Sequence, residues 1–319
     1  MNFKLKHCTN TQLFRHIVLS LLVFLGISLS ISSNGEMIKR PSIDKSRMVS
    51  TFQSSQHKKS LRIGIIGAMD EEINLLRKEL QDPYTQTIAN RQYYAGKLYG
   101  IDTILVSSRW GKVASASTAT TLFNLFNPDI IIFTGIAGAT DPKLNVGDIV
   151  LADKLYQHDM DASPLFDRYI VPLLNRIYFY TDRDLLRTSE IAAQRFISED
   201  LHKKISPDVL AKFFIFNPKV IIGPIASGDQ LIIGPKEAKT ILNFNQETKA
   251  VEMEGAAIAQ ISHEYNKPFL VFRTISDTPR NILTKNFQKF TQEIANYYSL
   301  GFIKRLYASL LEGDFRWKN

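Results

Sequence analysis

Cysteine is nearly missing from this 319-residue chain, with Cys8 the only one. No internal disulfide can form, and no cysteine is available further along as a metal ligand or nucleophile. The six histidines (His7, His16, His57, His158, His202, His263) are scattered, without HExxH or paired spacing, so no metal is expected. Long apolar runs are equally scarce. The uncharged stretch Ile17 to Ile31 has 15 residues, short of the roughly 20 that a spanning helix needs. Charge of one sign is only slightly in excess. The formal balance is +8, but Lys4, Lys6 and Arg15 stand among the first 34 residues without an acid, and the remainder holds 36 basic against 31 acidic residues, or +5. That surplus fits many soluble enzymes and weak attraction to polyanions alike, and gives no reason to expect a nucleic-acid partner. With 45% apolar residues the chain can bury a large core. Disordered, collagen-like and disulfide-rich classes are excluded by composition.

The apolar run follows Lys4, Lys6, Arg15 and His16 and precedes Ser28, Ser30, Ser32, Ser33 and Gly35. This basic, apolar, small-residue order predicts an export signal over residues 1–33, or an uncleaved signal anchor, since no A-x-A cleavage site stands out. A buried core helix would show a polar face, and this run has none. The protein is therefore expected in the periplasm, on the surface or in the medium. Residues 34–60 are polar, rich in Ser and Lys and without periodicity, which predicts a flexible linker. The folded domain is expected over 61–319.

From Leu61 onward, short apolar runs alternate with helical patterns. Strands are predicted at 61–67, 102–108, 146–153, 219–227 and 267–277, and at 128–138, where the run passes into a glycine turn. Helices are predicted at 70–80, 111–126, 254–265 and from Lys285 to Leu311. Continuous apolar strands between helices imply an α/β fold with a largely parallel sheet covered on both faces. Ligands of such sheets bind outside the carboxyl ends of the strands. Five polar or glycine-rich turns are expected to converge there, after Gly67, Ser108, Thr134, Ser227 and Ser276.

"GIIGAMDEE" lacks the third glycine of a dinucleotide-binding turn, and Asp70, Glu71 and Glu72 would repel a pyrophosphate. A solvated first turn explains two of these three acids, and one facing the rim could orient a water. Asp277 ends an apolar strand, either as a helix cap before Pro279 or as a general acid raised by an apolar pocket. In "VEMEGAAIAQ" (251–260), Glu252 and Glu254 point to one side of an extended chain, beside small residues that suggest burial. Buried acids need partners, and ribose hydroxyls would serve.

With "IGIIGAMDEEINLLR" (63–77), "GKVASA" (111–116), "TGIAGA" (134–139), "VGDIVLAD" (146–153), "SGDQLI" (227–232), "VEMEGAAIAQ" and "RTISD" (273–277) in this order, the chain resembles 5'-methylthioadenosine/S-adenosylhomocysteine nucleosidases of the nucleoside phosphorylase superfamily. The resemblance implies a three-layer α/β/α sandwich with a central twisted mixed sheet, a homodimer, and metal-free hydrolysis of an adenine nucleoside with no cofactor. Asp277 matches the acid that protonates adenine N7, Glu72 the carboxylate that positions water, and Glu254 the residue that holds the ribose hydroxyls over Met253. Arg273 and Ser276 match neighbours of the acid and the water. Ala68, Gly138 and Ile232 fall at pocket-lining positions, and Glu252 takes a supporting or structural place. The chain departs from the family pattern at Leu231, where a phenylalanine usually faces adenine, at Ile136 in place of a serine, and at Trp110, near the water site, in place of a small aliphatic residue. The stretch from about Asp182 to Lys219 is longer than the family norm. Residues 157–174 match a loop that reaches across the dimer in the family. Two alternatives stand beside hydrolysis. One is a surface-exposed protein that binds acidic glycans, suggested by export and by basic stretches such as Lys58-Lys59. The other is a purine nucleoside phosphorylase.

Overall fold

The computed structural model describes residues 60–279 and 287–312. The export signal expected at 1–33 lies outside these residues, as does the linker expected at 34–60 apart from Ser60. In chain order the elements are β1 (Arg62–Gly67), α1 (Asp70–Glu79), β2 (Gln81–Ile88), β3 (Arg91–Leu98), β4 (Ile101–Ser107), α2 (Lys112–Phe126), β5 (Ile130–Thr134), β6 (Ile136–Ala139) and β7 (Ile149–Gln157). There follow β8 (Phe179–Tyr180), α3 (Arg183–Arg195), a π turn (Phe196–Asp200), α4 (Leu201–Lys204), α5 (Pro207–Lys212), β9 (Val220–Ser227) and α6 (Pro235–Phe244). The chain then forms β10 (Ala250–Glu252), α7 (Gly255–Glu264), β11 (Phe269–Asp277), α8 (Phe287–Phe290), a second π turn (Thr291–Ala295) and α9 (Asn296–Leu311).

Two-residue alternation in the central strands decides the layering. Ile63 and Ile65 of β1 and Ile130 and Ile132 of β5 enter one core, with Ile73 and Leu76 of α1 and Tyr298 and Phe302 of α9. Ile66, Ile131 and Phe133 enter the other, with Ala119 and Leu122 of α2 and Ala256 and Ile258 of α7. Helices thus cover both faces of the sheet, which is the expected three-layer arrangement.

Strand order is β2-β3-β4-β1-β5-β11-β6-β10-β9-β7-β8. Around β1 the pairing is parallel, as its continuous apolar sequence predicts. Elsewhere antiparallel pairs intervene: β2 and β3 form a hairpin beside β4, β6 opposes β10, and β8 opposes β7. The sheet is therefore mixed rather than largely parallel. Strand β11 joins its halves: Phe269–Val271 pair with β5, Phe272–Thr274 with β7, and Thr274–Asp277 with β6. Because β11 meets both β6 and β7, the second half of the sheet closes on itself, and Asp277 ends β11 opposite Gly138 of β6.

The expected strand at 128–138 is in fact two. Gly135, at φ +147°, breaks β5 from β6, so the segment expected to turn instead begins a second strand. Glycine is needed there for space as well as for φ: a Cβ would lie 2.5 Å from Arg273 Nη1 and closer still to Glu72 Oε1.

Candidate active site

Glu72 lies in the first turn of α1 and is buried, whereas Asp70 is exposed and Glu71 half-buried. Two acids of the run therefore meet solvent and the third turns inward. Its Oε2 accepts the Ala68 and Met69 N–H groups at 2.6 and 3.0 Å, and its Oε1 accepts the Ile136 N–H at 3.1 Å. One carboxylate thus fastens the turn after β1 to the break after β5. Burial raises its pKa, opposed by the Arg273 charge and by these amides.

Arg273, fully buried on β11, sits among three acids. Its Nη2 donates to Glu252 Oε2 at 2.5 Å and lies 3.8 Å from Glu254 Oε2. The guanidinium carbon stands 3.7 Å from the centre of the Phe133 ring. Glu252 also accepts the backbone N–H groups of Glu254 and Gly255 and the hydroxyl of Ser227, whose oxygen takes the Ala256 N–H at 2.7 Å. Its carboxylate is thereby committed to the start of α7 and to Arg273. Glu254 is freer, holding the Gly111 N–H on Oε1 at 2.7 Å. Burial first, and the neighbouring Glu252 charge second, push the Glu254 carboxyl up to about 8, with Arg273 and the Gly111 amide opposing. The partners of these buried acids are thus a guanidinium and backbone amides already present in the protein.

Asp277 ends β11 at the cleft. Ser276 Oγ donates to its Oδ1 at 2.7 Å, and burial raises its pKa against that bond. Gly138 adjoins it closely, since a Cβ there would lie 3.1 Å from Asp277 Oδ2. The cleft has a volume of about 340 Å³ and brings Glu72, Glu254 and Asp277 together with Met253 and Ala68. Such a volume falls within the range of small-molecule sites. Glu252, Gly138, Ser276, Trp110 and Leu231 also line it, the last two at 55% and 67% exposure. Ile232 packs instead against the cluster around Tyr156 and Ile241, and its neighbour Ile233 lines the cleft. Arg273 stands behind the wall, acting through the acids it holds.

Sequence reasoning did not find Ile233 or Phe287 as lining residues. The Phe287 ring meets Trp110 edge-on at 6.1 Å across 177 positions of sequence, and no local pattern encodes that contact. Ile233 lies two positions beyond Leu231 in a segment without regular structure, where no pattern marks it.

The phosphorylase superfamily model matches residues 62–303. The 5'-methylthioadenosine/S-adenosylhomocysteine nucleosidase of Anoxybacillus flavithermus is 35% identical over 240 residues, covering 75% of this chain and 95% of that protein. The solved S-adenosylhomocysteine nucleosidase of Streptococcus pyogenes, in complex with 5-methylthiotubericidin, matches with TM-score 0.67 at 33% identity, covering 79% of this chain and 98% of its own. Futalosine hydrolase of Helicobacter pylori matches with TM-score 0.64 at 27% identity, covering 78% of this chain and 98% of its own.

Proposed function

This chain belongs to the 5'-methylthioadenosine/S-adenosylhomocysteine nucleosidases of the phosphorylase superfamily, and from that premise we propose that it hydrolyses the N-glycosidic bond of 5'-thio-substituted adenine nucleosides to adenine and a thioribose. The observation that carries this reading is the meeting of Glu72, Glu254 and Asp277 in one cleft.

Adenine leaves poorly as an anion, so a proton on N7 must accompany cleavage. Asp277, raised by burial, is suited to hold that proton and deliver it, while Ser276 orients the carboxyl. Positive charge grows on the sugar as the bond breaks. Glu254 would grip the ribose hydroxyls over Met253, in hydrogen bonds that strengthen with that charge. Glu72 would hold the attacking water and take its proton. Its amide bonds fix it in position, and Arg273 close by favours its charged form. A carboxylate there would repel phosphate, which supports hydrolysis over phosphorolysis.

The test is adenine release from methylthioadenosine in phosphate-free buffer. Asp277→Asn should lower kcat by about 10²- to 10⁴-fold, the usual contribution of a positioned acid. Turnover that requires phosphate would overturn the hydrolase reading. The proposal extends to export and to a homodimer. The first is supported by the basic, apolar, small-residue order of the first 35 residues. The second is supported by the apolar exposure of Trp110, Val113 and Leu231, at 55%, 82% and 67%.

A further inference from the structure

A ring of hydrogen bonds ties together three turns that follow strands. Gly111 and Lys112 open α2 after β4, His158 and Asp159 follow β7, and Gly228 and Asp229 follow β9. The Lys112 N–H donates to Asp229 Oδ1 at 2.8 Å, and the Asp229 N–H to Asp159 Oδ2 at 2.9 Å. Lys112 Nζ closes the ring by donating to Asp159 Oδ1 at 2.6 Å. Lys112 therefore enters it twice, through its backbone and through its ammonium. A second bond from Nζ, to Gln157 Oε1 at 2.9 Å, continues from Gln157 Nε2 to Gln260 Oε1 of α7 at 2.8 Å. The Lys112 and Asp159 side chains are only 16% and 21% exposed, so solvent screens this pair less than a surface one. Burial acts to raise the Asp159 carboxyl, but the Lys112 ammonium and the Asp229 amide outweigh it and hold the carboxyl below its ordinary value.

Sheet pairing does not set the distance between these turns, because β4 stands third in the strand order and β9 and β7 ninth and tenth. What the ring fixes is the start of α2. A first helical turn leaves its N–H groups without helical partners, and here two consecutive ones are divided between two carboxylates. The Gly111 N–H goes to Glu254 Oε1 at 2.7 Å and the Lys112 N–H to Asp229. One rigid peptide unit separates them, so holding the second restricts the aim of the first. Asp229 also packs against Gly111, where a Cβ would lie 3.1 Å from its Oδ1. Among the described residues that line the cleft, Leu231 and Ile233 follow Asp229 in the same turn, whereas Lys112, Asp159 and Asp229 stand outside the lining. The ring thus touches the site only through a backbone amide on Glu254 and through the seating of that turn.

We propose that Lys112, Asp159 and Asp229 are positioning residues for Glu254, holding its carboxylate on the ribose hydroxyls by way of the Gly111 amide. The proposal rests on the nucleosidase reading and deepens it. Bonds from Glu254 to the hydroxyls strengthen as the sugar gains charge, so a loosened Glu254 costs turnover more than binding. The test is steady-state adenine release by the full chain from methylthioadenosine and from its 2',3'-dideoxy analogue, which has no hydroxyls for Glu254 to hold. On methylthioadenosine, Asp159→Ala should lower kcat about tenfold, the size of one charge-assisted hydrogen bond, and leave KM nearly unchanged. On the dideoxy analogue the same variant should turn over as fast as the parent. Lys112→Met should reproduce this pattern, and the double variant should be no worse than either single one. Loss by the same factor on both substrates would mark a general structural role and overturn the proposal. Unchanged kcat in Asp159→Ala, or additive losses in the double variant, would overturn it as well. A parent chain that releases no adenine from methylthioadenosine would instead overturn the nucleosidase reading, and this proposal with it. Should Asp159→Ala fail to fold, Lys112→Met, which keeps both backbone bonds of the ring, decides by the same comparison of substrates.

Discussion

Glu252 and Glu254, two positions apart, differ in what their carboxylates touch. Glu252 is saturated by Arg273, the Ser227 hydroxyl and two backbone amides. Truncating it removes the nearest partner of a buried guanidinium and leaves only the more distant Glu254 and Glu72, so Glu252→Ala should lower stability by about 3 kcal/mol in urea unfolding. Burial raises the Glu254 carboxyl. Its folded pKa of about 8 stands above the ordinary 4.5, so the folded state binds this proton more tightly than the unfolded state. Stability should therefore fall as pH rises from about 4.5 through about 8 and level off above it. Glu254→Gln removes this titration, and Tm followed by calorimetry across the same window should decline less than in the parent. An equal or steeper decline would count against the assignment. Of the acids, Asp277 stood out at the end of an apolar strand, with a helix cap as the other reading, whereas Glu72 was separated from Asp70 and Glu71 only by the family resemblance. The partner of Glu252 was not, since Arg273 arrives from another strand.

At the scale of elements, two glycines carry close approaches. Gly135 lets β5 stop and β6 begin against Glu72 and Arg273. Gly135→Ala should lower kcat as well as stability, because the added carbon falls on both side chains. Gly301 in α9 faces the Phe196 ring, which belongs to the π turn within the 182–219 stretch. Overpacking there should make Gly301→Ala about 1–3 kcal/mol less stable, measured by denaturant unfolding, with the cleft untouched. That stretch is clamped a second time, by Arg305 on both carboxylate oxygens of Asp200 at 2.5 and 2.8 Å. Periodicity found β1, β5 and β11, which are apolar and buried, and α1 and α2, each of which buries one face. It did not find β2, whose residues are largely exposed and polar, because such a strand is held by the hydrogen bonds of its neighbour and not by an apolar face.

At the scale of the whole molecule, a second copy covering Trp110 and Val113 should appear as a dimer in sedimentation, and Val113→Glu should shift it toward monomer. A monomeric parent would remove the homodimer from the proposal. The succession of continuous apolar strands and helical patterns by itself determined an α/β chain with helices on both faces, because such strands must be buried on both sides. The order of its motifs, through the family resemblance, also singled out Glu72, Glu254 and Asp277, which line one cleft. Tertiary structure alone decided that β11 pairs with β5, β6 and β7 in succession, since pairing depends on contacts between segments far apart in the chain. The same closure placed Arg273 among Glu72, Glu252 and Glu254. A charge that reaches its partners through space, across one strand, leaves no periodic trace in the sequence.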